Sequence, residues 1–495
     1  MTQLSKSDYL LYLKHPAWLW LKKHDKKKLP PIDDNTQAIF DAGNLFESYA
    51  QHLFPDGVRL SFTDYDSYLD LPTRTTKAIT DGTKTIFQGR FEYNQITCIC
   101  DVVKVVGENT LDLYEIKSST RAKPEHEWDL AFQMVVLEGC GYKINKIYVI
   151  HVNNEYVRRG AIDYKQLTSI SDITETVKEK REETKQNIQK ALLIMSSPTI
   201  PDISPSLARA DSFKEWLEIY RGLVTIDPYS IYDLCRVSSD TIGKLEELKI
   251  KRLVDMHDGF PLSEKQKLQI QAVKQDKEII NVAEIKTFLN KLVFPLYFLD
   301  YETLASVVPY FDGLRPYQQL PFQYSLHRLN SPDGVLDHFM YLHTENSNPA
   351  EGLSHSLKTH LGDTGSVIVW NESFEKTCNS LLGKLLPEFT SFYEQVNARI
   401  VDLMIPFSSD WYVHKDFGGS ASIKKVLPVL VTELSYKELG IHEGAGAQRL
   451  WMEALLDGKR DSEKEQILGD LEKYCKLDTL AMVEIYKQLR SIILS

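Results

Sequence analysis

Leu111-Asp112-Leu113-Tyr114-Glu115-Ile116-Lys117 decides how the first half of this chain is read. Its side chains alternate in a period of two, the signature of a strand, so Glu115 and Lys117 share one face and Tyr114 and Ile116 the other. A second β-branched-rich run, residues 96–106, precedes it across Gly107-Glu108-Asn109-Thr110, a hairpin turn signal. Asp101 on that preceding strand can reach the face of Glu115. A helix is expected over about residues 127–138 and a strand over 146–152. Helical spacing marks residues 1–55, through Tyr9, Leu13, Trp18 and Leu21 and then Phe40, Leu45, Phe46, Tyr49 and Leu53. This order predicts a small α/β core.

A second α/β pattern starts at Leu296 and runs into Asp300-Tyr301-Glu302, where the two acids again share one strand face. Residues 322–329 and 338–342 read as a hairpin, and 367–370 as a short buried strand. The last helix is expected over about 461–494. Its stripe of Ile467, Leu471, Tyr474, Asp478, Met482, Ile485 and Leu489 forms one face. An aspartate inside an apolar stripe is costly unless it is paired or coordinates a cation. Tyr474, one turn earlier, is expected to place its hydroxyl beside Asp478. Between the two patterns, Pro201 to Pro205 marks a linker. The helical stretch to about residue 290 reads as a spacer, with a helix-hairpin-helix DNA module as the alternative.

The 495 residues suggest about three domains at roughly 150 residues each. With 43% hydrophobic residues the chain can bury a sizeable core. The six cysteines (Cys98, Cys100, Cys140, Cys235, Cys378, Cys475) are scattered without a C-x-x-C, which argues against a disulfide framework and a zinc or iron–sulfur site. No apolar run nears the ~18 residues of a membrane helix, and the N-terminal segment lacks a secretory h-region. A cytoplasmic protein without membrane contact is expected. The net charge of −11 disfavours a phosphate-binding surface, although metal-site acids count as negative until cations offset them. Basic residues cluster at Lys22, Lys23 and Lys26 to Lys28, at Lys249, Lys251 and Arg252, and at Lys424 and Lys425. Lysine runs of this kind read first as solvated faces. The absence of G-x-x-x-x-G-K-[ST] excludes a P-loop motor.

Asp101 and Glu115 supply hard oxygen ligands for Mg²⁺, and Lys117 can orient or deprotonate a water and stabilise phosphate charge. This D…E-x-K arrangement resembles the PD-(D/E)XK nuclease superfamily. Gln133 in Asp129-Leu130-Ala131-Phe132-Gln133, the run Glu115 to Thr120, and Leu4-Ser5-Lys6-Ser7-Asp8-Tyr9 with His15-Pro16 resemble its RecB-like branch. Some relatives in that branch carry an iron–sulfur cysteine where this chain has His15, so no cluster is expected. The family's tyrosine after the glutamine is replaced by Leu137, with Tyr142 nearby in sequence. Glu47 is a further candidate ligand that reads first as a surface residue.

D-x-E on a first strand with Y-x-x-x-D on a late helix resembles the DEDD exonucleases of the tyrosine subclass, RNase H-like in fold. Their N-x-x-F-D motif is matched by Asn371-Glu372-Ser373-Phe374-Glu375, with Glu in place of Asp. The resemblance implies that Asp300, Glu302, Glu375 and Asp478 hold two divalent ions and that Tyr474 orients the attacking water. Asp402 reads as structural. The turn Gly418 to Ser422 before Lys424 and Lys425 is a candidate phosphate grip, with a bare capped helix equally open.

The whole layout resembles bacterial proteins that fuse a RecB-like domain, here 1–195, through a helical region, 196–290, to a DEDD domain, 291–495. The expected function is Mg²⁺- or Mn²⁺-dependent DNA cleavage, with 3′–5′ action on single-stranded ends, in repair, recombination or defence. A partner helicase is a further expectation. RNA stays open as substrate, and a degenerate nucleic-acid-binding scaffold is the alternative.

Overall fold

The computed structural model describes residues 3–436, 439–441 and 443–494. It is a mixed α/β protein of two compact units. The first comprises Met1–Ile226, Ser238–Leu248 and Ser306–Tyr317, the second Asp227–Val237, Lys249–Ala305 and Gln318–Ser495. The stretch 196–290 is thus shared: 227–237 and 249–290 go with the second unit and the remainder with the first. No helix of the described residues is long and apolar enough to cross a membrane.

In the first unit the strands are β1 (Leu4–Ser5), β2 (Val58–Arg59), β3 (Thr85–Tyr93), β4 (Ile96–Gly107), β5 (Thr110–Lys117), β6 (Lys143–Val152) and β7 (Thr168–Asp172). They form one sheet in the order β2-β3-β4-β5-β6-β7, with β1 parallel to β4. The β4–β5 hairpin turns at Asn109, whose φ of 51° suits a residue that tolerates the left-handed region. Parallel β5 and β6 require a crossover, which the Pro124–Gly139 helix supplies. Pro124 pre-sets its first turn, and Glu125 and Glu127 suit its positive end.

Both faces of this sheet are covered. Leu111, Leu113, Cys98 and Cys100 pack with Tyr9 and Leu130 on one side. Ile116, Val102 and Ile150 pack with Phe46 and Ala50 on the other. The Glu115 face is therefore not the solvent face of an exposed strand; it lies beneath helices. Along β4 the alternation breaks, because Cys100 and Val103 share the first cluster while Val102 lies in the second. Opposite the break, between the pairs Phe87–Val102 and Gly89–Cys100, Gln88 has a φ of 58°. Such an irregularity re-aims a side chain. The re-aimed residue here is Asp101.

Trp216 anchors the helices after β7. It is fully buried, stacks on the His15 ring at 3.8 Å and donates from Nε1 to the Ile203 carbonyl at 3.0 Å. Trp216→Ala is expected to cost about 3–5 kcal/mol, read as a lower denaturant midpoint for the first unit.

The second unit contains β8 (Ile279–Ile280), β9 (Leu296–Leu304), β10 (Leu320–Leu329), β11 (Leu336–Leu342), β12 (Ser366–Val369), β13 (Ile400–Asp402) and β14 (Tyr412–Val413). Its main sheet runs β11-β10-β9-β12-β13, with β9 to β11 antiparallel and β12 and β13 parallel to β9. Strands β8 and β14 pair separately. Parallel pairing of β9 with β12 needs a close backbone approach at its start. Gly365 permits it: at φ +91° an added Cβ would lie 2.0 Å from the Pro295 carbonyl oxygen. The Lys464–Leu494 helix packs across β9 and β10 with Ile467, Leu471, Tyr474, Asp478, Met482, Ile485 and Leu489 all buried.

Candidate metal centres

In the first unit, β5 carries Glu115 to a point where only 1% of it is exposed. Its Oε1 accepts from Lys117 Nζ at 2.7 Å and Lys6 Nζ at 2.8 Å, and its Oε2 accepts from Gln133 Nε2 at 2.7 Å. Gln133 also donates to Asp129 Oδ1 at 2.9 Å, and Lys117 to Asp129 Oδ2 at 2.9 Å. Asp101 Oδ2 accepts the Ile116 backbone N–H at 2.8 Å, so its carboxylate takes up a donor from the neighbouring strand. The fold brings Asp101, Glu115, Lys117 and Gln133 together. It adds Lys6 and Asp129, which the sequence reading did not single out as site residues. Asp129 was detectable, since it lies one helical turn before Gln133. Lys6 lies in the Leu4–Tyr9 stretch noted from sequence, but nothing in that stretch tied it to Glu115.

Burial, with the charge of Glu115 added, lifts the Asp101 carboxyl to about 7. Burial would lift Glu115 too, but Lys117 and Lys6 hold it well below the usual range. Burial disfavours the Lys117 ammonium, yet Asp129 and Glu115 together push its pKa above the ordinary lysine value. In this arrangement Lys117 keeps its positive charge against Asp129 and Glu115 and is not poised to accept a proton. Three carboxylates face two ammonium groups, so an incoming divalent ion must compete with Lys6 and Lys117 for Glu115. The donor set is hard oxygen and fits Mg²⁺ or Mn²⁺ once a lysine is displaced.

The second centre has the opposite balance. Asp300 and Glu302 on β9 meet Asp478 and Tyr474 of the Lys464–Leu494 helix around a cleft of about 460 Å³, which Lys424 and Trp370 also line. Tyr301 turns away and donates to Asn379 Oδ1 at 2.8 Å. Glu375, in the first turn of the Glu372–Leu385 helix, is 2% exposed and its Oε2 has no hydrogen-bond partner among the described residues. Asn371 just before it holds a φ of 153°, a strained value at the head of the helix. Asp402 accepts the Glu372 and Met404 backbone N–H groups at 3.2 and 2.9 Å, tying down that helix start.

Burial, then the charges of Asp478, Glu302 and Glu375, raise Asp300 well above the carboxylate range. Burial and Asp478 do the same to Glu302, against Lys424. Burial lifts Glu375 to about 8. Asp478 rises only to about 6, because Tyr436 and Lys424 oppose its burial. The hydroxyl that donates to Asp478 belongs to Tyr436, at 2.6 Å, not to Tyr474. Tyr474 nevertheless lines the same cleft as Asp478, beside it as the helical stripe places it. Among the described residues no hydrogen bond reaches the Tyr474 hydroxyl. An orphaned Glu375 oxygen and three mutually repelling carboxylates fit a centre that holds divalent cations.

Residues 297–422 match a family model described as a domain of unknown function (DUF2779). That span includes Asp300, Glu302 and Glu375 and stops before Tyr474 and Asp478. The chain is 25% identical over 233 residues to "Uncharacterized protein MG366" of Mycoplasma genitalium, covering 42% of this chain and 34% of that protein. It is 26% identical to the Mycoplasma pneumoniae homologue of MG366, over equal shares. With "Uncharacterized protein UU173" of Ureaplasma parvum it shares 25% identity over 265 residues, 44% of this chain and 38% of that one. The chain spans about a third of the length of the curated relatives it matches.

Around the second centre, the glycine-rich turn is held by Trp370, whose Nε1 donates to the Ala421 carbonyl at 3.0 Å. Ser422 caps the Ile423–Leu430 helix by position but makes no side-chain capping bond. Lys424 sits 5.5 Å from the centre of the Tyr474 ring, inside the cleft, while Lys425 is exposed on the same helix. The Gly444–Leu455 helix starts against Glu302, an added Cβ on Gly444 lying 3.7 Å from Oε2. Its positive end favours the carboxylate.

Other residues singled out from sequence have ordinary structural roles. Glu47 accepts from Gln88 and Gln51, at 2.8 and 2.7 Å. Leu137 is fully buried, and Tyr142 packs edge-on against Phe91. His15 accepts the Ala17 N–H at 3.1 Å and caps a helix. Lys22 and Lys23 do not form a free basic face: both pair with buried Asp8, at 3.0 and 2.6 Å. Tyr436→Phe is expected to move the pH midpoint of Mn²⁺ binding upward by about one unit, since a hydrogen bond to a charged group is lost. Calorimetric titration across pH measures it, and an unmoved midpoint would contradict the role assigned to that hydroxyl.

Proposed function

We propose that the chain is a divalent-metal-dependent nuclease whose second unit trims single-stranded DNA from its 3′ end as a DEDD-type exonuclease. Its first unit is a RecB-like site that cuts or trims DNA in repair, recombination or defence. The observation that carries this reading is the convergence of Asp300, Glu302 and Asp478 with Tyr474 and Lys424 in one cleft. Asp300, Glu302, Glu375 and Asp478 would hold two Mg²⁺ or Mn²⁺ ions, which when bound supply an activated water and charge for the leaving oxygen. Tyr474 orients that water through its unengaged hydroxyl. Lys424 offsets phosphate charge, and the Trp370 and Phe374 rings beside the acids offer stacking faces to a terminal base.

The two lysines on Glu115 favour a second reading for the first unit alone, that it binds nucleic acid without cutting it. Mn²⁺ calorimetry on a chain carrying Asp300→Asn and Asp478→Asn separates the two, since heat of binding then reports the first centre. Digestion of end-labelled single- and double-stranded DNA and RNA, with Mn²⁺ and with EDTA, tests the main proposal. Shortening from the 3′ end, abolished by EDTA, is expected. If every substrate stays intact, the proposal fails.

A further inference from the structure

We propose that Cys475 is a metal ligand, so that the second centre takes thiophilic divalent cations such as Zn²⁺ and Cd²⁺ through sulfur. This rests on that centre holding cations, as proposed above, but not on its cutting nucleic acid. Cys475 follows Tyr474 on the long helix and lies one turn before Asp478. It is 0% exposed, and its Sγ is 3.9 Å from Asp300 Oδ2. Donor atoms of Asp300, Glu302 and Cys475 all lie within 4.8 Å of one another. In a tetrahedral zinc site with Zn–S of about 2.3 Å and Zn–O of about 2.0 Å, sulfur and oxygen stand about 3.5 Å apart. The Cys475–Asp300 pair is thus within about half an ångström of that spacing, and Glu302 supplies a third donor within 4.8 Å of both.

A second observation bears on this centre, although Glu375 does not line the cleft itself. The buried Glu375 Oε2 has no hydrogen-bond partner among the described residues, and its carboxylate lies within Coulombic reach of Asp300. A buried carboxylate oxygen without a partner beside a group of three donors is what a cation would satisfy. Chemistry then sets the preference. Thiolate is a poor ligand for Mg²⁺ and a good one for Zn²⁺, and the divalent series already favours Zn²⁺ over Mn²⁺. As the metal–sulfur bond forms, the Cys475 S–H proton leaves to solvent and the cation's bound water is displaced. Zinc held through sulfur would therefore exclude Mg²⁺ from this centre. Without a cation the thiol is a weak donor to Asp300 Oδ2.

Cd²⁺ titration followed by the thiolate-to-metal ultraviolet band tests this on the full chain carrying Cys140→Ser, which removes the exposed thiol. One band equivalent per chain is expected, lost when Cys475→Ser is added. Cd²⁺ affinity should fall by at least the roughly 10–100-fold that removing an outer-shell partner costs, with a smaller loss for Mn²⁺. A band that survives Cys475→Ser, or no band in the parent, overturns the inference. Zinc-edge X-ray absorption on the parent needs no substitution at the site and should show one sulfur near about 2.3 Å. A first shell of oxygen alone overturns it as well. A sulfur-bound cation in a chain that leaves all nucleic acids intact would sink the nuclease proposal and keep this one.

Discussion

Asp300→Asn is expected to abolish trimming of single-stranded 3′ ends, by about 10³-fold or more, corresponding to about 4 kcal/mol of lost transition-state stabilisation. The substitution keeps the side-chain volume and removes one charge from a centre whose carboxylates repel each other. It therefore removes a hard ligand without opening a cavity. In metal-free protein the same change should raise stability, because one buried carboxyl no longer opposes Asp478, Glu302 and Glu375. Loss of activity with a higher melting temperature separates a ligand from a structural residue, for which both would fall. Glu115→Gln should act differently. It removes a charged partner that Lys6 and Lys117 share and leaves them Asp129 alone, so the activity of the first unit is expected to disappear along with some local stability. Retention of full 3′ trimming by Asp300→Asn would refute the assignment of the second centre.

The second large effect is an inverted pH dependence of stability. Asp478 rises to about 6, Glu375 to about 8 and Asp101 to about 7, all above their unfolded values, while Asp300 and Glu302 also rise. In that window the native state binds more protons than the unfolded state, so stability falls as pH rises. The penalty is absent below the unfolded carboxylate range and complete above the folded values. Groups depressed in the fold, such as Glu115 and Asp8, lose their contribution only as pH falls below the unfolded range, outside this window. With EDTA, the melting transition should drop by several °C between about pH 5 and pH 8, as a change of a few kcal/mol implies. Mn²⁺ should recover most of the drop at pH 8 and little at pH 5. A melting temperature that is flat with pH in EDTA would mean that these carboxyls are not held together.

Much of the second centre was legible because strands and helices display their faces in short-range order. Asp300 and Glu302 are two apart on a strand, and Asp478 stands in an apolar stripe whose every member is buried. Glu115 and Lys117 were readable for the same reason. Other features left no local trace. Lys6 reaches Glu115 from 109 positions away. The hydroxyl on Asp478 comes from Tyr436, 42 positions earlier, although Tyr474 is the neighbour along the helix. Cys475 sits beside the stripe and not in it, yet it is fully buried because β9 and β10 cover a wide arc of that helix.

From its order of residues alone this chain determined the strand faces, the long amphipathic helix and the acids that both present, since these follow from backbone periods of two and 3.6. Only the tertiary structure decided the charge balance of each centre. Two lysines close on Glu115 in the first unit, whereas the second leaves its carboxylates facing one another with Lys424 nearby. Pairing of that kind depends on which distant side chains the packing brings within a few ångströms, and Coulomb energy in a buried site is set by that distance.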